Sequence, residues 1–188
     1  ACLVGSEMCI RDSSLAELRG KKVCFSDPTS TIGYMVPARG LLEAGIDANP
    51  VSSRDIQVVF AGGFMEVGFG VQRGDCEVGF MNDLTYTTLL PNTGKIKDGE
   101  LETFWTSGDV PNPPLVISGD LPVNLKSKIK KIVLEQANKT WLTENGFCKS
   151  EQECNLIATS RWGWRAEVDN SFEGLRETCA ILEFKECS

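Results

Sequence analysis

Three hydroxyl residues in succession, Thr29, Ser30 and Thr31, follow an Asp-Pro pair in the stretch CFSDPTSTIGY. The first turn of a helix leaves backbone N–H groups without partners and carries partial positive charge, so hydroxyls placed there add donors for an anion. A single Ser or Thr is enough to cap a helix, and three exceed that need. The plainer reading is an Asp-Pro turn with Ser30 or Thr31 as the N-cap, and the local pattern leaves both readings open. Gly62, Gly63 and Asp83 each follow a predicted strand, and Asn112 lies in a Pro-rich crossing segment. Ligands of open α/β sheets sit beyond the carboxyl ends of the strands, so these positions join Thr29, Ser30 and Thr31 as the candidate ligand-binding set. Asp83 has a second reading as the cap of the next helix. The chain contains no histidine. It therefore lacks the commonest metal ligand and general base, and no catalytic residue, metal site or cofactor is read from it.

The elements that must position these residues follow from hydropathy periodicity. Lys21 to Ser26 reads as a strand and Ser30 to Ala44 as a helix stopped by Gly45, with Pro37 in its first turns or kinking it. Ile56 to Ala61, almost wholly apolar, reads as a strand covered on both faces. FMEVGFGVQRG follows as a helix weakened by Gly68 and Gly70, and Glu77 to Met81 as a third strand. Strand, helix, strand, helix, strand is the order of a parallel α/β sheet. Beyond Pro91 the chain changes character. LETFWTS alternates like a strand, PNPPLVISGDLP is a Pro-rich crossing with an apolar centre, and Leu125, Ile129, Ile132, Val133 and Ala137 mark one face of an amphipathic helix. The lysines at 126, 128, 130 and 131 read as its solvated face, and the stretch beyond Thr143 as irregular. Glu66 and Glu77 read as ordinary surface charges, and Trp162 and Trp164 as interface or core packing.

With 188 residues, 41% hydrophobic and 24% charged, the chain is long enough to bury a core, and its net charge of −7 argues against nucleic acid as a partner. The opening ACLVGSEMCIRDS resembles a translated sequencing-adaptor segment and abuts residues that read as the middle of a domain, so residues 1–13 are taken as a non-native leader. Setting aside Cys2 and Cys9 leaves six of the eight cysteines, none in a Cys-x-x-Cys clamp. That usage favours disulfides and a non-cytosolic compartment. Cys148 and Cys154 flank a polar loop and are predicted to be bonded to each other; Cys179 and Cys187 form a second candidate pair. Cys24 and Cys76 read as buried thiols or as one bridge.

LAELRGKKVCFSDPTSTIGYMVPARGLLEAGID, then VVFAGG, RGDCEVGFMND and FWTSGDVPNPPLVISGDLP, together resemble the phosphate/phosphonate-type substrate-binding proteins of ABC transporters over roughly residues 15 to 137. The resemblance implies a two-lobed α/β fold of the type 2 periplasmic-binding-protein kind, of which this chain holds one full lobe plus the C-terminal part of the other. Residues 14–106 would form the second lobe, 107–143 the crossing segment and first-lobe tail, and 144–188 a cysteine-rich extension. The implied function is capture of a small phosphate- or phosphonate-like oxyanion between lobes for ABC-type uptake. It implies no enzyme activity, a membrane permease as partner, and a periplasmic or extracellular location. A secreted receptor-like domain with an altered or lost ligand is the alternative. Ser30 and Thr31 match the family's Ser-Thr-Ser motif, whereas Ile32 replaces its third hydroxyl. Gly62-Gly63-Phe64 stands where the family commonly has Gly-Ser-His, and Pro113 where it often has Asp, with Asn112 and Asp109 nearby.

Overall fold

The computed structural model describes the strand Cys2–Gly5 and residues 14–97, 99–154, 163–166 and 168–183. Contacts divide the chain into two units, one taking residues up to Val110 together with those from Phe172 on, the other running from Pro111 to Ser171.

In the first unit, KVCF, QVVF and VGFM are short apolar runs rich in β-branched and aromatic residues, and they form β2 (Lys22–Phe25), β3 (Gln57–Phe60) and β4 (Val78–Met81). β2 lies between the other two and pairs parallel with both, Phe25 opposite Phe60 and Cys24 opposite Gly79. Two further strands, β1 (Cys2–Gly5) and β5 (Glu102–Thr106), complete a mixed sheet of order β3-β2-β4-β1-β5, with β1 antiparallel to β4 and to β5. The sheet is thus not purely parallel, and residues 2–5, read from sequence as part of a leader, form one of its strands. β3 is an edge strand with Gln57 exposed and Val58, Val59 and Phe60 half-buried. An apolar run alone does not distinguish an edge strand from a central one, and the expectation of cover on both faces fails for that reason.

Side chains alternate across the sheet, so each face has its own core. Val23, Phe25, Val78 and Phe80 share one cluster with Leu41 and Tyr34, where the Phe25 ring stacks on Phe80 at 5.3 Å and meets Tyr34 edge-on at 5.3 Å. Cys24 and Met81 share the other with Val67, Val71 and Leu90. The helix over the first face begins as a π-type turn, Thr31–Met35, and continues as α1 (Val36–Glu43), with Pro37 accommodated near the start of α1. On the second face lies α2 (Phe64–Arg73). Its glycines permit close approach: a Cβ on Gly68 would lie 2.4 Å from Leu90 Cδ1, and one on Gly79 of β4 would lie 2.4 Å from Val67 Cγ1. The intrinsic helix cost of Gly68 is therefore offset by packing. After β4 a helical stretch runs over residues 83–92, ending in the short α3 (Leu90–Asn92).

Polar contacts tie the amino ends of the strands. Glu77 accepts from the Lys22 N–H (3.0 Å) and the Lys21 ammonium (3.0 Å), while its own N–H donates to the Lys22 carbonyl (3.0 Å). The Arg19 guanidinium bridges Asp55 and the Gly45 carbonyl, and the second oxygen of Asp55 accepts from the Asp47 N–H at 2.9 Å. Glu77, an ordinary surface charge by sequence, is thus a clamp between β2 and β4.

The second unit holds α4 (Val123–Lys131), which continues as a π-type turn to Gln136, and α5 (Lys139–Glu144), capped by the Asn138 side chain accepting from the Trp141 N–H at 2.8 Å. Residues beyond Thr143 are less irregular than expected. α6 (Glu173–Leu182) forms and belongs to the first unit, where Leu182 packs on the core shared by Phe25 and Phe80. The stretch read as one extension is therefore divided between the units.

Cys148 and Cys154 are bonded as predicted, with Cα atoms 5.3 Å apart. Cys24 and Cys76 are also bonded, across 52 positions of sequence, and both are buried. Cys179 is disulfide-bonded as well, while Cys187 and Trp162 lie outside the described residues.

Replacing Cys24 and Cys76 together by Ala should lower stability by about 2–5 kcal/mol in a denaturant titration; an unchanged midpoint would mean that no bond forms there in solution. The Lys22 N–H and then Lys21 hold the Glu77 carboxyl below the usual range. Its contribution should be complete above the unfolded-state pKa and drain away as pH falls through the lower folded value. Glu77→Gln should accordingly cost under about 1 kcal/mol near pH 7, screened as this exposed group is, and nothing once the carboxylate is protonated. Parallel stability curves over that pH range would contradict the clamp.

Candidate functional site

Because β2, β3 and β4 run parallel, the turns that leave them emerge at one edge of the sheet. The turn after β2 carries Ser26, Asp27, Thr29, Ser30 and Thr31; that after β3 carries Gly62, Gly63 and Phe64; that after β4 carries Asn82 and Asp83. Two main-chain bonds tie the first to the second, Ala61 N–H to the Phe25 carbonyl (2.8 Å) and Gly62 N–H to the Ser26 carbonyl (2.8 Å). Six of the seven candidate positions therefore share the carboxyl edge of the first unit. Asn112 is an exposed residue of the second unit.

The three hydroxyls have different employments. Thr29 donates both its hydroxyl (2.6 Å) and its N–H (2.8 Å) to Asp27 Oδ1, closing an Asx-type turn, and these bonds hold the Asp27 carboxyl below the usual carboxylate range. Ser30 is the N-cap, its Oγ accepting from the Gly33 N–H at 3.0 Å. That leaves its hydroxyl proton available as a donor. Thr31 begins the helix with its side chain half-buried. In this first turn the N–H groups of Thr31 and Ile32 have no intrahelical acceptor. The sequence pattern therefore combines both readings: one residue caps, one closes the turn, and two hydroxyls stand beside open backbone donors.

The second turn differs. Gly62, at φ +93°, is exposed, and Gly63 precedes α2 without any side-chain cap. The Glu66 carboxylate folds back over it, one oxygen lying 2.5 Å from where a Cβ on Gly63 would be. A negative charge already occupies the start of α2, which suits the helix dipole and disfavours a second anion there. At the third turn Asn82 caps the helix, accepting from the Thr85 N–H at 2.8 Å. Asp83 is not the cap; it is the first helical residue and is exposed. Asn performs this task as well as Asp, so the type of residue did not reveal which of the two neighbours would take it.

One cluster escaped the sequence reading. Ser26 is 3% exposed, and its Oγ has no hydrogen-bond partner among the described residues. It sits beneath the first turn of the helix: a Cβ on Gly33 would fall 1.8 Å from Ser26 Oγ and 2.9 Å from Phe64 Cε1. The Ser26 N–H donates to the Gly33 carbonyl at 3.3 Å. Only glycine fits at position 33, because strand end, helix start and the Phe64 ring converge there. The Gly of DPTSTIG was the available signal; its partner was not.

A sheet edge at which parallel strands feed helix starts, with hydroxyls beside the first turn, is the place where open α/β sheets bind their ligands. The family described as ABC transporter, phosphonate, periplasmic substrate-binding protein matches residues 6–151, and the chain belongs to it. The phosphate-import protein PhnD of Mycolicibacterium smegmatis is 30% identical over 179 residues, which span 93% of this chain and 55% of that protein. Among solved structures, PhnD1 from Prochlorococcus marinus in complex with methylphosphonate superposes with a TM-score of 0.71 at 18% identity, covering 97% of this chain and 66% of that one. The periplasmic aliphatic sulphonate binding protein SsuA of Escherichia coli gives a TM-score of 0.58 at 16% identity, covering 98% and 60%. These likenesses establish a periplasmic-binding-protein-like fold, and the chain spans about half the length of the curated relative. Proteins of this family serve transport by binding.

Gly33→Ala should destabilise by about 1–3 kcal/mol, the usual range for overpacking. Ser26→Ala should be neutral or stabilising by up to roughly 1 kcal/mol, since it removes a buried hydroxyl that meets no partner among the described residues. Equilibrium unfolding checks both, and a large loss in Ser26→Ala would mean that its hydroxyl is bonded in solution.

Proposed function

We propose that the protein is the solute-binding component of an ABC-type uptake system and captures a small phosphate- or phosphonate-like oxyanion at the carboxyl edge of its sheet. The observation that carries this reading is the start of the helix at Thr31, where the N–H groups of Thr31 and Ile32, which meet no acceptor among the described residues, lie beside the hydroxyls of Ser30 and Thr31. Ser30 and Thr31 would donate to ligand oxygens, Thr29 would hold the turn in shape through Asp27, and Gly62 and Gly63 would let the second turn approach closely. Asp83 and Asn112 would complete the lining, Asp83 accepting from a protonated oxygen or a cationic group of the ligand. Membership of a transport-binding family and the phosphate named for the mycobacterial relative support the ligand class. The methylphosphonate in the Prochlorococcus complex supports it too. A membrane permease would be the partner, and a periplasmic or extracellular location agrees with five cysteines, Cys24, Cys76, Cys148, Cys154 and Cys179, in disulfides. Among the described residues no helix is long and apolar enough to cross a membrane.

A secreted receptor-like domain of the same fold is the second reading. It rests on residues 152–188, which lie beyond the family match and carry three of the cysteines.

Titrating phosphate and methylphosphonate separately into the ¹⁵N-labelled protein should shift the amide signals of Ser30, Thr31, Ile32 and Gly33 while leaving Lys21 and Lys22, at the opposite edge, unmoved. Shifts centred on Lys21 and Lys22, or none at millimolar ligand, would overturn the site and favour the receptor-like reading. Removing the Glu66 charge by Glu66→Gln should tighten oxyanion binding. Phe64→His, by adding a donor beside Gly33, should strengthen it by about 1–3 kcal/mol where the imidazole reaches a ligand oxygen.

A further inference from the structure

Buried polar atoms of folded proteins are nearly always hydrogen-bonded, and each one that is not requires an explanation. Among the described residues three side-chain oxygens are buried without a partner, those of Ser26, Thr103 and Thr143. Thr103 and Thr143 are half-buried residues of β5 and α5, whereas Ser26 as a whole is buried and lies at the carboxyl end of β2. The main chain of Ser26 is fully engaged: its N–H donates to the Gly33 carbonyl (3.3 Å) and its carbonyl accepts from the Gly62 N–H (2.8 Å). Those two bonds fix the residue between the first and second turns of the carboxyl edge. Only its hydroxyl is idle. A hydroxyl in that state costs stability that a methyl group in its place would not.

The point that a Cβ on Gly33 would occupy is 1.8 Å from Ser26 Oγ and 2.9 Å from Phe64 Cε1, so hydroxyl, aromatic ring and first helical turn meet at one place. Thr31 and Ile32, whose N–H groups meet no acceptor among the described residues, precede Gly33 in that turn. Phe64 is half-buried and opens α2 directly after Gly62, at φ +93°, and Gly63. Its ring therefore has a solvent side to turn towards. We propose that Ser26 is a ligand-binding residue: its hydroxyl is the floor of the oxyanion site, lying beneath the Phe64 ring and donating to a ligand oxygen once that ring turns aside. This assignment rests on the reading of the Thr31 turn as an oxyanion site, to which it adds one further donor and one moving part. An anionic oxygen is the acceptor that the hydroxyl lacks, and a hydrogen bond to a charged group is stronger than one between neutral groups. Turning the ring loosens its packing on the second core, beside Val67. Affinity and ring displacement thus oppose each other, and a head group with several oxygens, able to meet the helix start and Ser26 together, is the chemistry that the arrangement selects.

The test is a double-mutant cycle on the 188-residue protein, read by NMR titration with methylphosphonate and, separately, with inorganic phosphate. Ser26→Ala should weaken binding roughly 10-fold while the unfolding midpoint stays level or rises, a combination that a merely structural hydroxyl does not give. Phe64→Ala, which removes the cover, should tighten binding when Ser26 is present and do so far less in combination with Ser26→Ala. The Phe64 ring signals should move together with the Thr31 and Ile32 amides as ligand is added. Unchanged affinity in Ser26→Ala, with those amides still responding, would overturn the assignment and leave the oxyanion site standing. A lowered unfolding midpoint with unchanged affinity would overturn it too, by assigning the hydroxyl to a buried water. Equal gains from Phe64→Ala in both backgrounds would overturn the role of the ring. No response at Thr31, Ile32 and Gly33 to either ligand would overturn the site, and this assignment with it.

Discussion

Parallel pairing of β2 with a neighbour on each side is the constraint on which the first unit depends. A parallel strand must be followed by a crossover before the chain can add the next one, so the pairing itself requires a helix after β2 and another after β3. It also delivers every strand-to-helix turn to the same edge. Val23, Cys24 and Phe25 are buried, which fixes the register: a slip of one residue would exchange Cys24 with its neighbours and break both its bond to Cys76 and the stacking of Phe25 on Phe80. The candidate site is thus a product of strand direction, assembled from segments that are distant in sequence.

Much of this architecture is legible in the sequence because local signals and tertiary context agree. KVCF, VVF and VGFM are apolar enough to be recognised as strands, and SDPTST announces the helix start that follows. Family membership and the periplasmic-binding-protein-like fold follow from the order of these segments more than from any single motif. The features that escaped are those that depend on which residues meet across the fold. Whether β3 is central or peripheral is decided by its neighbours and not by QVVF. The Cys24–Cys76 bond joins positions 52 residues apart, so spacing could not select it from the alternatives. α6 lacks a strong stop-and-start signal and gains its place by packing Leu182 against the first core.

The candidate site shows the same division. That Ser30 caps and Thr31 opens the helix could be anticipated from residue type; that Thr29 is held by Asp27 could be read from the Asp-Pro-Thr order only once the turn was known. Ser26 looked like the last residue of a strand. Its burial under Gly33 arises because β2, the following helix and the Phe64 ring meet within van der Waals contact, a relation carried by three separate segments. The place of Glu66 is similar: three residues into α2, it reaches back over a glycine cap that has no side chain of its own.

The polar clamps at the opposite edge have a consequence for how such a domain can change over generations. Arg19, Asp55 and Glu77 join the amino ends of the strands and the loops beside them through side-chain bonds to one another and to the backbone. The turns after β2 and β3 are joined instead by main-chain bonds, which any residue type can make. Side chains such as Ile32 or Phe64 can therefore change at the carboxyl edge without disturbing the side-chain fastenings at the opposite one. A lineage built this way can change side chains by drift at one end while selection for folding acts chiefly on the other.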